Sequence, residues 1–354
     1  MAILFAALEK SLLVLESSPN GDDNDRWKIH ECLKGLHPTA IAIDPHNSNR
    51  VYCGTWNNGL WKTDDNGQTW NQIKTNNIIA SDANIMSLSV SPIEREGEEG
   101  YNKVFVGTEP SALYTSSDGG ESWQTIDNFI HLKSSSSWSF PPRPWTHHVR
   151  WIEPDKNKKE YLFVAIEAGA LIQSHDSGKT WIDKVDSGPY DTHTLLTHKM
   201  APKRLYSAAG DGYFESYDYG QSWNRFDEGL DHRYLFGMAV DSTNPQNIIV
   251  SAAKGAWRAH YLDENTESFL YRRTKEEKEE DKEKWILITD GLPDAKGTII
   301  SMLAAHPKIK GKFYCLNNRG IFYSTDSSAS WNQLDIPWPK EYCLQHPWAL
   351  AINE

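Results

Sequence analysis

The sequence predicts an all-β protein: a seven-bladed β-propeller of four-stranded antiparallel blades, forming one domain over residues 1–354. Three observations predict it. An eight-residue motif recurs five times. Short strands rich in Val, Ile, Tyr and Trp precede each copy. Tryptophans at 27, 70, 123, 181, 223, 285 and 331 close the repeats at a mean spacing of about 51 residues, within the range of propeller blades with insertions.

The motif reads TDDNGQTW (63–70), SSDGGESW (116–123), SHDSGKTW (174–181), SYDYGQSW (216–223) and STDSSASW (324–331), where Ser328 stands in place of glycine. Immediately upstream lies a small-aromatic strand, such as GLWKT (59–63) or GIFYS (320–324). Before it come a strand such as RVYCGTW (50–56) or YLFVAIE (161–167) and another such as AIAIDP (40–45) or HVRWIEP (148–154). A short strand follows each tryptophan. The motif is therefore the turn between the third and fourth strands of a blade. Its Gly supplies positive φ, its Asp and Ser or Thr bond the turn's own amides, and its Trp packs between blades.

Two further repeats lack the motif. NIIVSAAKGAWRAHYL (247–262) carries strands, with KWILI expected as the closing strand after a long insertion. The N-terminal AILFAALEKSLLVLE reads as two strands around a turn at Glu9-Lys10, with Trp27 in the closing position of a third. This repeat lacks an innermost strand, and HPWALAIN (346–353) is a strand without a blade. Pairing the two closes the ring and removes exposed sheet edges.

Composition narrows the function classes. A formal net charge of -12 argues against a phosphate-backbone binder and against an anionic-membrane binder. No run of about 18 apolar residues is present. Glu9 and Lys10 interrupt the apolar N-terminus, which has no basic leader, so the chain is expected to start near Met1 and to be cytoplasmic. Cys32, Cys53, Cys315 and Cys343 are scattered and read as free thiols. The charge run at 271–285 reads as a solvated hairpin extension or short helix on the motif face.

The five motif copies resemble the Asp-box, or BNR repeat, of the sialidase-like superfamily, over nearly the whole chain. That superfamily includes glycosidases, lectin-like receptors and assembly factors, so the resemblance implies the fold and leaves function open. It also implies that any active site lies on the face opposite the boxes. The arginine triad and Arg-Ile-Pro start of true sialidases are missing, and sialidase cores have six blades, so the chain is not read as a sialidase.

If the motif turns share one face, the second-to-third-strand turns and the blade-to-blade crossings share the other. That face collects Trp56, Glu109, Glu167, Asp211 and Arg319 from turns, and His147, His148, His193, His232, Arg233 and His346 from crossings. The long crossing 131–148, with its FPPRPW, holds Arg143 and Trp145 over the mouth or caps the end of the ring. A polar concave mouth is the expected ligand site. Glu109, Glu167, Asp211, His148 and His193 are the candidate catalytic residues, with paired carboxylates as acid, base or nucleophile. Their alternative role is to cap strand ends or pair with Arg143, Arg150 or Arg233. Candidate ligand-binding residues are Trp56, Arg143, Trp145, His147, Arg150, His232, Arg233 and Arg319, and the indoles of Trp56, Trp138 and Trp145 suit a sugar ring. No cofactor is expected; the alternative is a metal held by His148, His193, His232 and His346, in the manner of the seven-bladed carotenoid-cleaving oxygenases, whose sequence motifs are not seen.

The expected function is a small-molecule or glycan-processing or binding propeller, of glycosidase-like hydrolase or lyase type. The alternatives are a non-catalytic binding module and an assembly scaffold similar to the Asp-box propeller of photosystem II assembly. The expected partner is a carbohydrate or other small molecule, with no nucleic acid and no membrane.

Overall fold

Seven antiparallel sheets stand around a central channel in the computed structural model, which describes residues 2–17, 27–95, 100–275 and 283–353. Blade 1 is composite. Its innermost strand, Pro347–Asn353, pairs with Ile3–Leu8, and Ser11–Glu16 and Lys28–Cys32 follow outward. Ile3 faces Asn353 and Leu8 faces Pro347, so the two ends of the chain lock the ring in one ladder. The register is fixed because Ile3–Leu8 is buried on both faces between neighbouring strands and blades.

Blades 2 to 7 follow in chain order. Their innermost strands are Pro38–Ile43, Asn84–Arg95, Val149–Pro154, Thr192–Thr197, Tyr234–Val240 and Met302–Ala305. Each packs beside the next around the channel, and the last packs beside Pro347–Asn353. The channel between them holds a cavity of about 100 Å³, lined by Met86, Met238, Met302, Leu303, Trp348 and Arg150 among others. Cys53 and Cys315 lie buried on second strands as free thiols, and burial pushes the Cys315 thiol up to about 12.

The motif turns do what their residue types dictate. In the second copy the Ser116 hydroxyl donates to Asp118 at 2.8 Å, Gly120 N–H donates to Ser116 Oγ at 2.9 Å, and Ser122 N–H donates to Asp118 Oδ1 at 2.9 Å. Gly120 has φ 94°, and Trp123 donates its indole N–H to the Gly120 carbonyl at 3.1 Å. The Thr63, Ser174 and Ser216 copies repeat these bonds. The tryptophans pack against the preceding blade: Trp123 lies among Tyr52 and Leu60, and Trp331 among Ile249 and Leu270. The fifth copy differs. Ser328 is forced to φ 66°, and the Trp331 indole nitrogen has no hydrogen-bond partner.

Two expectations are corrected. Residues 247–262 do not hold two strands: after Ile248–Ala253 the chain turns into a short helix, Ala256–His260, and the third strand of blade 6 is Phe269–Lys275. Gly255 and the bulky Trp257 and Tyr261 occupy a protruding connection where a tight hairpin was expected. KWILI does close that blade, within Glu283–Ile288. Blade 4 has three strands, Val149–Pro154, Leu162–Ile166 and Ala170–Ser174, and a single bridge between Gln173 and Ile182 stands where the fourth was expected. Of the charge run, 276–282 lies outside the described residues, and its flanks are paired strands. No helix among the described residues is long and apolar enough to cross a membrane.

Candidate functional site

Alternating strand direction puts Glu109, Glu167 and Asp211 on one end of the disc, each at the turn after a second strand. His148 and His193 sit at the starts of the innermost strands of blades 4 and 5. Because innermost strands converge on the axis, these side chains meet. Glu109 accepts a two-pronged ion pair from Arg143, at 2.9 and 2.6 Å. His148 Nδ1 lies 3.2 Å from Glu109 Oε2, and its Nε2 lies 2.7 Å from Glu167 Oε2. One imidazole therefore joins the two carboxylates that the sequence set side by side.

The chain of contacts continues. Arg150, buried with its guanidinium over the Phe236 ring, lies 3.5 Å from Glu167 Oε2. His193 Nε2 faces Glu167 Oε1 at 3.7 Å and Asp191 Oδ2 at 3.6 Å. Tyr234 Oη contacts His260 Nε2 at 2.9 Å, and His260 Nδ1 lies 2.8 Å from His346 Nε2. Asp211 accepts the backbone N–H groups of Tyr190 and Asp191, both at 3.3 Å. A polar network thus crosses the mouth from blade 3 to the closing strand.

Charge sorts the groups. Burial alone raises Glu109 and Glu167, but His148 with Arg143, and His148 with His193 and Arg150, outweigh it and hold both carboxyls below their ordinary values. Burial works against a charged His148, yet the Glu167 and Glu109 carboxylates win and raise it. Asp191 goes the other way: burial raises it, the Glu167 and Asp211 charges add, and His193 opposes. His260 falls well below its ordinary value through burial and the neighbouring His346, and burial takes His346 to about 4. Paired carboxylates do occur, but a raised one and a lowered one are Asp191 and Glu167, not Glu109 and Glu167.

These directions fix a pH profile. His346 and His260 stay neutral in the fold while the unfolded chain takes up protons below about 6.5. Stability therefore drops as pH falls from 6.5 toward 4, by about 1.4 kcal/mol per unit for His346, and His260 acts in the same direction. His148 has the opposite sign: its contribution is complete below 6.5 and is lost as pH rises through its raised folded value. Thermal unfolding across pH 4–9 is expected to peak near 6.5. A His346→Gln variant is expected to flatten the acid limb; an unchanged limb would show that His346 is not a buried neutral base.

The remaining candidates divide. Trp56 lies under the Arg143 guanidinium, 5.0 Å from it, and Trp145 projects into solvent at 80% exposure. His147 packs edge-on against Trp138, and burial lowers it. His232 stacks on Phe269 at 3.7 Å and contacts the Tyr271 hydroxyl, apart from the network. Arg233 and Arg319 are exposed. Trp138 is buried against Phe129 and bonds Ser134, so its indole offers no face to a sugar. Nor do His148, His193, His232 and His346 converge on one point, since each is turned to a different protein partner. Asp191, Tyr234 and His260 were missed. Asp191 and Tyr234 stand at the same crossing positions as the residues singled out, a signal the sequence does carry; His260 sits on the unexpected helix.

No family model matches the chain. In sequence it is similar to the xyloglucanase Xgh74A of Acetivibrio thermocellus, at 27% identity over 279 residues, which is 72% of this chain and 27% of that one. It is also similar to an oligoxyloglucan-reducing end-specific xyloglucanase of Emericella nidulans, at 20% identity over 49% of this chain and 22% of that one. The chain thus spans about a quarter of the length of these relatives. In fold it resembles the GH74 enzyme of Niastella koreensis, with a TM-score of 0.65 at 16% identity over 91% of this chain and 52% of that one. It also resembles YCF48 bound to D1 peptide, with a TM-score of 0.56 at 18% identity over 85% and 82%.

Proposed function

We propose that the protein binds a xyloglucan-type glycan across the channel mouth. The observation that carries this reading is the placement of exposed aromatics. Among the described residues, the two indoles more than half exposed are Trp145 at 80% and Trp257 at 61%; Trp145 precedes the innermost strand Val149–Pro154 and Trp257 follows the second strand Ile248–Ala253, which places both on the mouth face. Tyr261 stacks on Trp257 at 4.2 Å, and exposed Tyr190 lies on a crossing between them. Flat apolar rings held at the rim suit the apolar faces of successive sugars, while Arg143, Asp191 and Asp211 offer partners for hydroxyls. Xyloglucanases among the relatives in sequence support a glycan of this class.

The loop under Trp145 is built to be stiff. Phe140 N–H donates to the Thr146 carbonyl at 2.8 Å, Arg143 N–H donates to the Phe140 carbonyl at 2.8 Å, and the Arg143 guanidinium is tied down by Glu109. An exposed indole on a rigid support loses little entropy on binding. The reading is one of binding, because Glu109 and Glu167 are both held ionised and both occupied by protein cations. A glycosidase built on that pair needs one of them protonated.

Titration of xyloglucan oligosaccharides by calorimetry is expected to give saturable binding, weakened about tenfold by Trp145→Ala, roughly 1.4 kcal/mol. Absence of binding to xyloglucan and cello-oligosaccharides alike sinks the proposal. Release of reducing ends that disappears in Asp191→Asn restores a hydrolytic role.

A further inference from the structure

We infer that Glu167, Asp191 and His193 form a binding site for a divalent first-row transition-metal ion of the Zn²⁺ or Mn²⁺ class. The inference is independent of the glycan reading. His193 is fully buried, and its Nδ1 lies 2.6 Å from the Leu235 carbonyl. A carbonyl only accepts, so Nδ1 carries the proton and Nε2 presents a lone pair. That lone pair faces Asp191 Oδ2 at 3.6 Å and Glu167 Oε1 at 3.7 Å, and the three atoms lie within 4.8 Å of one another. These gaps are too long for direct hydrogen bonds. They approach the ligand-to-ligand edge of about 3.4 Å that a tetrahedral ion imposes with bonds near 2.1 Å.

The outer atoms of each ligand are already held. Glu167 Oε2 contacts His148 Nε2 at 2.7 Å, and Asp191 Oδ1 accepts Ala168 N–H at 2.8 Å. With the Leu235 carbonyl on His193, each ligand has one atom held by a protein partner and leaves another donor atom within 4.8 Å of the other two, as outer partners do in metal sites. Gly210 leaves room for this arrangement, since a Cβ there would lie 2.1 Å from Asp191 Oδ2. The Tyr234 hydroxyl also lies 3.5 Å from His193 Nε2, and its shorter contact is to His260. The Arg143 guanidinium pairs with Glu109 and that of Arg150 with Glu167, whereas Asp191 and Asp211 accept backbone N–H groups. An imidazole nitrogen beside two carboxylates favours a first-row ion over Mg²⁺ or Ca²⁺.

Chelator-treated full-length protein titrated with ZnCl₂ or MnCl₂ by calorimetry is expected to bind one ion per chain, with a rise in unfolding temperature. Mg²⁺ and Ca²⁺ are expected to bind at least tenfold more weakly. Asp191→Asn is expected to weaken binding at least tenfold, and His193→Gln likewise, while His232→Gln, an imidazole outside the cluster, leaves it unchanged. Asp191 is partly solvent-facing, so its variant keeps the fold if the buried His193 variant does not. Co²⁺ is expected to give a visible ligand-field band in the wild type that Asp191→Asn abolishes. Absence of saturable binding, or binding retained in Asp191→Asn, overturns the inference.

Discussion

Removing Pro347–Asn353 is expected to abolish the folded state near 37 °C. This strand is the innermost of blade 1 and packs beside the innermost strands of blades 2 and 7. Without it, Ile3–Leu8 becomes an exposed edge, and Leu4, Ala6 and Leu8 lose cover from Leu350 and Ile352. The lost apolar burial and ladder amount to about 5 kcal/mol or more, comparable with the whole stability of an ordinary domain. Calorimetry and soluble yield read the effect directly. A synthetic peptide of sequence PWALAIN is expected to restore cooperative melting by adding itself as the missing strand. A truncated chain that melts within a few degrees of the intact one would show that the ring does not depend on this ladder.

Glu215→Ala is expected to cost about 3–5 kcal/mol, the range for breaking a buried ion pair from one side. Glu215 is fully buried on the third strand of blade 5. Arg204 meets it with three bonds of 2.8–3.1 Å, Arg273 reaches it from blade 6, and the hydroxyls of Tyr213 and Tyr217 donate to it. Its removal leaves two guanidiniums in the seam between blades 5 and 6 without their shared counter-ion. Burial raises this carboxyl, but Arg273 and Arg204 outweigh it and keep it below its ordinary value. It therefore stays ionised above about pH 4.5, and the loss should be full at neutral pH. Denaturant unfolding measures it. Replacing all three charged residues with apolar ones of similar size is expected to recover most of the loss. A single-variant loss under 1 kcal/mol would show that the guanidiniums find solvent.

Blade count, ring closure and turn positions were legible because their determinants are local. Thr63 to Trp70 carries within eight residues the hydroxyl, carboxylate, glycine and indole that define its turn, so recurrence exposes it. Glu109, Glu167, His148 and His193 were legible for a related reason: ring symmetry gives each the same place in its repeat. What they do was not legible. That Arg143 turns inward to Glu109 while Trp145, two residues on, turns outward depends on how a proline-rich loop packs. That Asp191 is raised while Glu167 is lowered depends on burial and on neighbours supplied by other blades. His260 was hidden because strand periodicity predicts a hairpin where Ala256–His260 is helical, and a side chain on a misread element has no predictable address.

The two ends of the disc therefore differ in how change spreads through them. Each motif turn satisfies its Asp and its Ser or Thr side chains within four residues, so those bonds stay inside one blade. At the mouth, His148 answers to Glu109 from blade 3 and to Glu167 from its own, and His346, just before the closing strand, answers to His260 from blade 6. A substitution there is felt by several blades at once. One end is modular and free to drift copy by copy; the other must vary as a set. New specificities in such a ring should accordingly arise by concerted exchange of mouth residues on an unchanged frame of turns.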